Sequence, residues 1–381
     1  MIKTKGLLAA GLAAALVLAA CGGDDDAAPT TDAPAATDAP AATDAPAATD
    51  APAATDAPAE SINVGLTFDI GGRGDQSFND SAAAGIDRAV IDFGISFTDA
   101  EPNADGSNRA ELLQLQADGS DLVVAVGFLF EGDVVSVAAD NTDTNFAVID
   151  SAMLDFDNGA VPYADNIAGL TFAEEQGSFL VGVAAALNSE SNTIGFIGGV
   201  GGFGLIEKFE AGFTAGVNAV NPDITVIPQY ITMAPDFDGF FSADRAKEIA
   251  LAMFDQGADV VYHAAGGSGA GLFEAAKERS EESGTKVWAI GVDSDQYFTA
   301  SEDVREYILT SMLKRVDVAV YEAIKSQTAG SFTAGNVVYD LSVDGVGYST
   351  SGDFLSADQI AQMEDYKAQI VAGTITVPTA P

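Results

Sequence analysis

The sequence predicts an α/β protein with two doubly wound, parallel-sheet lobes that face one another across a cleft. From Ser61 onward, short apolar runs alternate with amphipathic stretches of helical period, which is the pattern of strands and helices in parallel sheets. The alternating units are too many for one ordinary sheet, and several predicted strands end in aspartate or glycine. Because open α/β sheets bind ligands at the carboxyl ends of their strands, two such lobes would bring these ends together along one cleft.

The apolar runs and the amphipathic stretches define the expected elements. Strands are expected at residues 62–68, 122–127, 146–150, 166–170, 193–198, 260–263 and 287–292. Helices are expected at residues 78–93, 109–117, 174–187, 207–220, 243–256 and 310–325. In the helix at 207–220, Phe209, Phe213 and Val217 recur at helical spacing and indicate a buried face.

The net charge limits the classes of partner. The chain carries 57 acidic and 16 basic residues, for a formal net charge of −41 at pH 7. A surface this acidic repels phosphodiester backbones, so we expect no nucleic-acid partner. Nearly half of the residues are hydrophobic, which predicts that the bulk of the chain is globular.

The first 20 residues have the features of a lipoprotein signal peptide. Lys3 and Lys5 precede an apolar stretch at residues 6–20 that is too short for a comfortable membrane span. The sequence Leu-Ala-Ala then leads to Cys21, the one cysteine of the chain, in an arrangement that resembles a bacterial lipobox. We therefore expect lipidation of Cys21 and a protein held on the extracytoplasmic face of the cell membrane by that anchor alone. The alternative is an ordinary secretory signal with an incidental cysteine.

Residues 21–60 contain a low-complexity segment with a repeated TDAPAA unit. The unit begins at residues 31, 37, 43 and 49, and a last copy at residue 55 reads TDAPAE; residues 22–60 contain no large apolar side chain. Such a segment cannot bury enough surface to offset the entropy of ordering, so it is expected to be a disordered tether. Regular proline favours an extended spacer of about 100 Å.

The nine-residue stretch GGRGDQSFN, at residues 71–79, follows a predicted strand and opens a predicted helix. It could cradle a phosphate, but it lacks the Gly-Lys-Ser/Thr ending of a P-loop and does not fit G-x-G-x-x-G. Its Arg-Gly-Asp tripeptide could mark an adhesin, although so short a motif also occurs by chance. Ser77 or Asn79 could cap the helix. Further glycine-rich loops at residues 196–204 and 263–271 also follow strands and are typical of walls that a ligand approaches closely.

The sequence contains few residues or motifs that are typical of catalysis. His263 is the one histidine and lies at an apolar strand end, where a histidine is usually a satisfied wall residue. There is no G-x-S-x-G motif and no metal-spaced cluster of histidine and cysteine. We therefore expect neither an enzyme nor a cofactor or metal, and a nucleoside hydrolase is the enzyme alternative to be weighed.

Several motifs resemble one family when taken in order. They are VGLTFDIGGRGDQSFNDSAAAGI, FAVID, FAEEQGSFLVGVAAAL, IEKFEAGFTAGV, GADVVYHAAGGSGAGLFEAA, AIGVDSDQY and LTSMLKRVDVAVYEAI. Together they resemble the basic membrane protein family of substrate-binding lipoproteins, the PnrA-like nucleoside-binding proteins of ABC transporters. The resemblance covers residues 62 to about 348.

The resemblance implies a type I periplasmic-binding-protein fold, with two lobes joined by three crossovers and closing on a ligand by a hinge. On this basis we expect one lobe at residues 61–170 and 292–330 and the other at residues 171–291 and 331–376. The family further implies a nucleoside ligand, with a purine as the expected base, and an ABC-transporter permease as partner. We expect a monomer. The alternative is the same fold with a sugar or another small polar ligand.

The resemblance also implies roles for individual residues around the base. Phe78 would stack on one face of the base, and Asp69 and Asn79 would hydrogen-bond its edge. The family usually carries a second stacking aromatic before a DPAKGK-like segment, which reads DFDGFFSADRAKEIA here. Alignment on Lys247 points to Phe240, with Phe237 and Phe241 as rivals.

The sugar contacts follow from the same resemblance. Asp150 and Asp293 would accept hydrogen bonds from ribose hydroxyls, and Lys314 would reach a sugar oxygen. Gly266 would bring backbone against the ligand. These residue types suit a diol of hydrogen-bond donors.

Overall fold

The structure, a computed structural model, describes residues 61–381, which form two α/β lobes built around two six-stranded sheets. The predicted signal peptide at 1–20 and the predicted tether at 21–60 lie outside the described residues. The predicted fold class, two parallel-sheet lobes of the type I periplasmic-binding-protein kind, is confirmed.

The first part of the chain supplies most of the first lobe. Its elements are β1 (Asn63–Thr67), α1 (Phe78–Phe93), β2 (Ser96–Ala100), α2 (Arg109–Ala117), β3 (Leu122–Ala125), α3 (Glu131–Asp140), β4 (Asn145–Ile149), β5 (Leu154–Asp155), β6 (Val161–Pro162) and β7 (Ile167–Phe172). β5 and β6 form a small antiparallel hairpin beside the main sheet.

The middle of the chain supplies most of the second lobe. Its elements are α4 (Glu174–Asn188), β8 (Thr193–Gly201), α5 (Leu205–Val220), β9 (Thr225–Met233), α6 (Ala243–Asp255), β10 (Val260–Ala264), α7 (Gly269–Ser283), β11 (Trp288–Asp293), α8 (Gln296–Thr299) and β12 (Ile308–Lys314). The remaining elements are α9 (Val316–Thr328), β13 (Gly335–Tyr339), β14 (Val346–Tyr348) and α10 (Ala357–Val371).

The two sheets are joined by three crossovers, as the family resemblance implies. The first sheet has the strand order β13-β7-β4-β3-β1-β2, and the second has the order β14-β12-β11-β10-β8-β9. The chain passes from one sheet to the other after β7, after β12 and after β13. Within these two sheets every pairing is parallel except that of β14 with β12. The three crossovers therefore lie at the same edge of both sheets.

Burial on both faces explains the unbroken apolar runs of the central strands. All four residues of β3 and all five of β10 are buried, because helices cover each parallel sheet on both sides. One apolar cluster lies between the lobes' inner helices α1, α4, α5 and α9, and a separate cluster fills the outer face of each sheet. All seven predicted strands and five of the six predicted helices differ from the observed ones by no more than three residues at either end.

The helix predicted at residues 310–325 is wrong in its first third. Residues Ile308–Lys314 form β12, and the helix α9 begins at Val316. Six of the seven residues of β12 are buried, so its apolar run reflects burial on both faces rather than one helical stripe. A short apolar run of this kind does not reveal its period from sequence.

The predicted lobe boundaries need correction at the last two crossovers. The strand β12 pairs with β11 in the second sheet, although residues 292–330 were expected in the first lobe. Conversely, β13 pairs with β7 in the first sheet, although residues 331–376 were expected in the second lobe. The first lobe therefore takes residues 61–173 and about 316–340 of the chain. A crossover is set by long-range strand pairing, which local patterns do not report.

Glycines allow the inner helices α4 and α5 to pack backbone against backbone. A Cβ at Gly216 would overlap the carbonyl of Phe179, and one at Gly212 would overlap the carbonyl of Glu175. Gly182, on α4, meets the carbonyl of Phe213 in the same way. The close contact between α4 and α5 therefore requires glycine at these positions, because a larger residue would overlap the opposite backbone.

We expect Gly216→Ala to destabilise the protein by about 1–3 kcal/mol, because the added methyl group must push two helices apart. Gly132→Ala is the matched control, since Gly132 lies in α3 with nothing within 4 Å of the added methyl group. The control should be stabilised by about 0.5–1 kcal/mol. Urea unfolding of both variants measures the difference, and equal effects of the two substitutions would contradict the close helix contact.

Candidate functional site

A cavity of about 610 Å³, including its open mouth, lies between the two lobes. Loops at the carboxyl ends of strands from both sheets form its walls, as expected for open α/β sheets. Every ligand-binding residue predicted from the sequence lines this cavity: Asp69, Phe78, Asn79, Asp150, Phe240, Gly266, Asp293 and Lys314. The structure thus brings together residues that are up to 245 positions apart, while their contacts with a ligand stay a prediction.

A buried ion pair forms the floor of the cavity. Lys314 Nζ, at the end of β12, lies 2.6 Å from Asp150 Oδ2 and 3.8 Å from Glu174 Oε1. Glu174 is in turn bound by Lys208, whose Nζ lies 2.5 Å from Oε2. Burial opposes the charge of Lys314, but Asp150, Glu174 and Asp293 outweigh it and raise the Lys314 pKa. Lys314 is therefore a charged ammonium at neutral pH.

The same ammonium lies among aromatic rings. Lys314 Nζ is 4.9 Å from the centroid of Phe78, 5.1 Å from that of Phe172 and 5.8 Å from that of Phe209. The negative face of a ring favours a nearby cation. The Phe78 ring is therefore held by an electrostatic contact as well as by packing.

Asp150 and Asp293 have corresponding positions at the ends of strands. Both adopt the left-handed backbone conformation, with φ of 65° and 63°, which aspartate tolerates better than most residues. Within the described residues, Asp150 Oδ1 is buried and has no hydrogen-bond partner. Asp293 Oδ2 accepts a 2.5 Å hydrogen bond from Ser77 Oγ of the other lobe. Each aspartate thus has an oxygen available to a ligand.

Asp69 and Asn79 lie at the end of β1 and the start of α1. The Asn79 Oδ1 accepts a hydrogen bond from the backbone N–H of Asp69 at 3.0 Å, which leaves its amide NH₂ to act as a donor. Asp69 Oδ1 accepts from Ile70 N at 2.8 Å and lies 3.4 Å from Arg109 Nη2. The pair offers one donor and one acceptor at the same wall.

Burial changes the acidity of these carboxyl groups. Burial raises the pKa of Asp293 to about 6, although Lys314 and Ser77 favour its ionised form. Burial likewise raises the pKa of Asp69 to about 6, against the effects of the Ile70 N–H and of Arg109. Both groups therefore lose much of their charge only when the pH falls below about 6.

The three candidate phenylalanines have different surroundings. Phe240 lines the cavity and lies against Gly199 and Gly266 of the second lobe. Phe241 lines the outer part, is 39% exposed and contacts Gly71 of the first lobe. Phe237 instead packs on Phe128 and Phe203. Phe240 remains the predicted second stacking residue.

Phe128, Phe203 and Phe237 form an aromatic trio across the mouth of the cleft. Phe128 belongs to the first lobe and stacks on Phe203 of the second lobe with ring centroids 4.8 Å apart. Phe237 meets both rings edge-on at 5.8 Å. The trio therefore joins the two lobes and closes one side of the cavity.

Several cavity residues were not predicted from the sequence to bind a ligand: Asp75, Gly127, Phe128, Leu205, Ile206, Phe209, Ala264, Gly267 and Val292. Phe128 could have been found, because it follows the carboxyl end of β3. Phe209 was assigned to a buried helix face, which is correct for one side of the helix α5 only. Asp75 was hidden by the Arg-Gly-Asp pattern.

Asp75 is the residue that caps α1, and the expectation that Ser77 or Asn79 caps it is wrong. The Asp75 carboxylate accepts the backbone N–H groups of Ser77, Asn79 and Asp80 at 2.8–3.1 Å, because a carboxylate satisfies the free donors of a helix start. The Arg73 guanidinium is bound to Asp87 and Asp99. Both charged members of the tripeptide are therefore held within the first lobe.

His263 is buried in β10 beneath the cavity wall and does not line it. Its Nε2 lies 2.9 Å from Gln296 Oε1, and burial lowers the pKa of His263 to about 4. Within residues 61–381 no group of acidic, histidine or cysteine side chains is arranged to hold a metal ion. In the same part of the chain, no helix combines the length and the hydropathy that a bilayer crossing requires.

The side chains that line the cavity favour some ligand groups over others. The cavity contains the carboxylates Asp69, Asp75, Asp150 and Asp293 and the ammonium of Lys314, so it suits hydrogen-bond donors and disfavours anions. Phe78 from one lobe and Phe240 from the other suit a flat apolar group.

Comparisons with known proteins agree with the resemblance of the motifs. Residues 62–380 match the family described as ABC transporter substrate-binding protein PnrA-like. The chain is 36% identical over 339 residues to the CD4+ T-cell-stimulating antigen of Listeria monocytogenes, covering 84% of this chain and 89% of that protein. It is 32% identical over 330 residues, with the same coverage, to the ABC transporter nucleoside-binding protein BmpA of Lactococcus lactis.

A solved structure has the same architecture. The solute-binding protein of an ABC transporter system from Aeropyrum pernix K1 superposes with a TM-score of 0.71 at 28% identity, covering 84% of this chain and 93% of that one. The family predicted from the motifs is confirmed. The chain belongs to the PnrA-like family of ABC transporter substrate-binding proteins.

Proposed function

We propose that this protein captures a nucleoside, with a purine as the preferred base, and delivers it to an ABC-transporter permease without chemical change. Lipidation of Cys21 would hold it at the extracytoplasmic face of the cell membrane, with residues 22–60 as tether. We further propose that it acts as a monomer and that it needs no cofactor.

The observation that carries the proposal is the buried Oδ1 of Asp150, which has no hydrogen-bond partner within residues 61–381 and belongs to the same cavity as Phe78. A buried carboxylate oxygen requires a donor, and a ribose hydroxyl is a suitable one. Asp293 offers a second oxygen from the other lobe, so a diol could be bound between the two. A flat base would then stack on Phe78, with Phe240 opposite.

Binding would be coupled to closure of the cleft. The cavity takes residues from both lobes, so a ligand contacts all of them only when the lobes are together. The ligand then supplies the free-energy difference that favours the closed state over the open one.

Calorimetry with a panel of ligands tests the proposal. We expect inosine and adenosine to bind, and ribose to bind much more weakly because it lacks the stacked base. Inosine 5′-monophosphate should bind at least about 100-fold more weakly than inosine, since its phosphate would enter a wall of carboxylates. Heat from a free sugar with none from any nucleoside would overturn the proposal, and inosine recovered uncleaved would support binding without hydrolysis.

Phe78→Ala should weaken inosine binding by about 1–3 kcal/mol, because a base loses one stacking face. Phe97→Ala is the matched control, since Phe97 is a half-buried phenylalanine of the same lobe on β2 and outside the cavity. Calorimetry should give the control the wild-type affinity. Unchanged affinity in Phe78→Ala would remove this ring from the site.

Asp293→Asn should stabilise the ligand-free protein at pH 7.5 by up to about 2–3 kcal/mol. The folded-state pKa of about 6 exceeds the ordinary 3.8, so the folded chain retains a proton that the unfolded chain releases between about pH 4 and 6. Stability from this group is therefore lost as the pH rises through that window. Asparagine removes the charge and can still accept from Ser77.

The gain should shrink as the pH falls from 6 to 4, and thermal unfolding across that range measures it. The exposed Asp143→Asn is the control and should show no such trend. A gain in Asp293→Asn that is independent of pH would contradict the role of the buried charge.

A further inference from the structure

Hydrogen bonds join the two lobes at a place beside the cavity but outside it. The backbone carbonyl of Gln76, in the first lobe, accepts from Gln296 Nε2 at 3.1 Å and from Thr299 Oγ1 at 2.9 Å, both in the second lobe. The carbonyl of the next residue, Ser77, accepts from Ser294 Oγ at 2.9 Å. These contacts link the loop before α1 with the short helix α8.

The orientation of the Gln296 amide is determined by its neighbours. The backbone N–H of Val292 donates to Oε1 at 2.8 Å, so this atom must be the oxygen and the NH₂ group must face Gln76. His263 Nε2 lies 2.9 Å from the same oxygen and must therefore donate to it. The ring thus carries its proton on Nε2, and Nδ1 is the deprotonated nitrogen.

Packing holds this arrangement in place. Gln296 is 1% exposed and His263 is fully buried. A Cβ at Gly269, at the start of α7, would overlap the imidazole, so the helix lies directly on the ring. Neither Gln296 nor His263 lines the cavity, and a ligand there would not touch them.

We propose that Gln296, oriented by Val292 and His263, is a positioning residue that stabilises the closed cleft by binding the Gln76 carbonyl across the lobes. Thr299 supports the same carbonyl from the exposed side. His263, which does not line the cavity, is thereby explained as the second donor that fixes the glutamine amide. The contact forms only after closure, so it should slow ligand release and leave ligand entry unchanged.

The test compares Gln296→Met, which keeps the side-chain length but removes the amide, with Thr299→Val, which removes only the exposed donor. The matched control is Gln116→Met, because Gln116 is also a buried glutamine, with Oε1 accepting from Thr98 within the first lobe. Stopped-flow binding of inosine should show dissociation about tenfold faster in Gln296→Met and two- to threefold faster in Thr299→Val. Association rates should match wild type in all three variants.

Lobe closure is measured directly with spin labels. The full chain would carry Cys21→Ser and labelled cysteines at the exposed rim positions Gly132, in the first lobe, and Asp238, in the second. With inosine, Gln296→Met should retain a larger long-distance population than wild type or the Gln116→Met control. The proposal would be overturned if Gln296→Met had a lower thermal stability than wild type but the same spin-label distances and the same dissociation rate.

The inference rests on the proposed function for its ligand readout only. If inosine failed to bind the wild-type chain, the nucleoside proposal would fail. The spin-label distances of the ligand-free proteins would still test the proposed role of Gln296. A smaller short-distance population in ligand-free Gln296→Met than in wild type would support it, and identical distributions would overturn it.

Discussion

The burial of one ammonium group between the lobes constrains the rest of the site. Lys314 ends β12, immediately before the second crossover, and its charge is balanced by Asp150 of the first lobe and by Glu174 at the start of α4. A buried charge without partners is strongly destabilising. The ends of β4 and β12 and the first turn of α4 must therefore converge, and that convergence sets the floor of the cavity and the position of Phe78 above it.

The cavity holds more negative charge than its one ammonium neutralises. Asp69 and Asp293 both have raised pKa values because burial disfavours their ionised forms, so the empty site is a source of instability in the folded protein. A ligand rich in hydroxyl or amino donors relieves this cost when it binds. The same buried carboxylates therefore lower the stability of the ligand-free protein and raise its affinity for ligands that donate hydrogen bonds.

Patterns of local sequence predicted most elements, but not their long-range arrangement. The helix α5 follows from a clear apolar face, and strands such as β3 follow from short apolar runs. The run at β12 is buried on both faces and carries no period, so its strand was mistaken for helix. The motifs indicated Asp150 and Lys314 as candidate cavity residues, whereas the stacking of Phe128 on Phe203 depends on a distance between loops of the two lobes that no local pattern contains.

The aromatic trio would give a separation of the two lobes a thermodynamic signature. Phe128 of the first lobe stacks on Phe203 and meets Phe237, both of the second lobe, so parting the lobes would hydrate apolar ring faces. Apolar hydration raises heat capacity, and closure therefore lowers it even when the captured molecule is polar. The contribution of the trio to holding the lobes together would consequently weaken on cooling, because apolar stabilisation fades at low temperature.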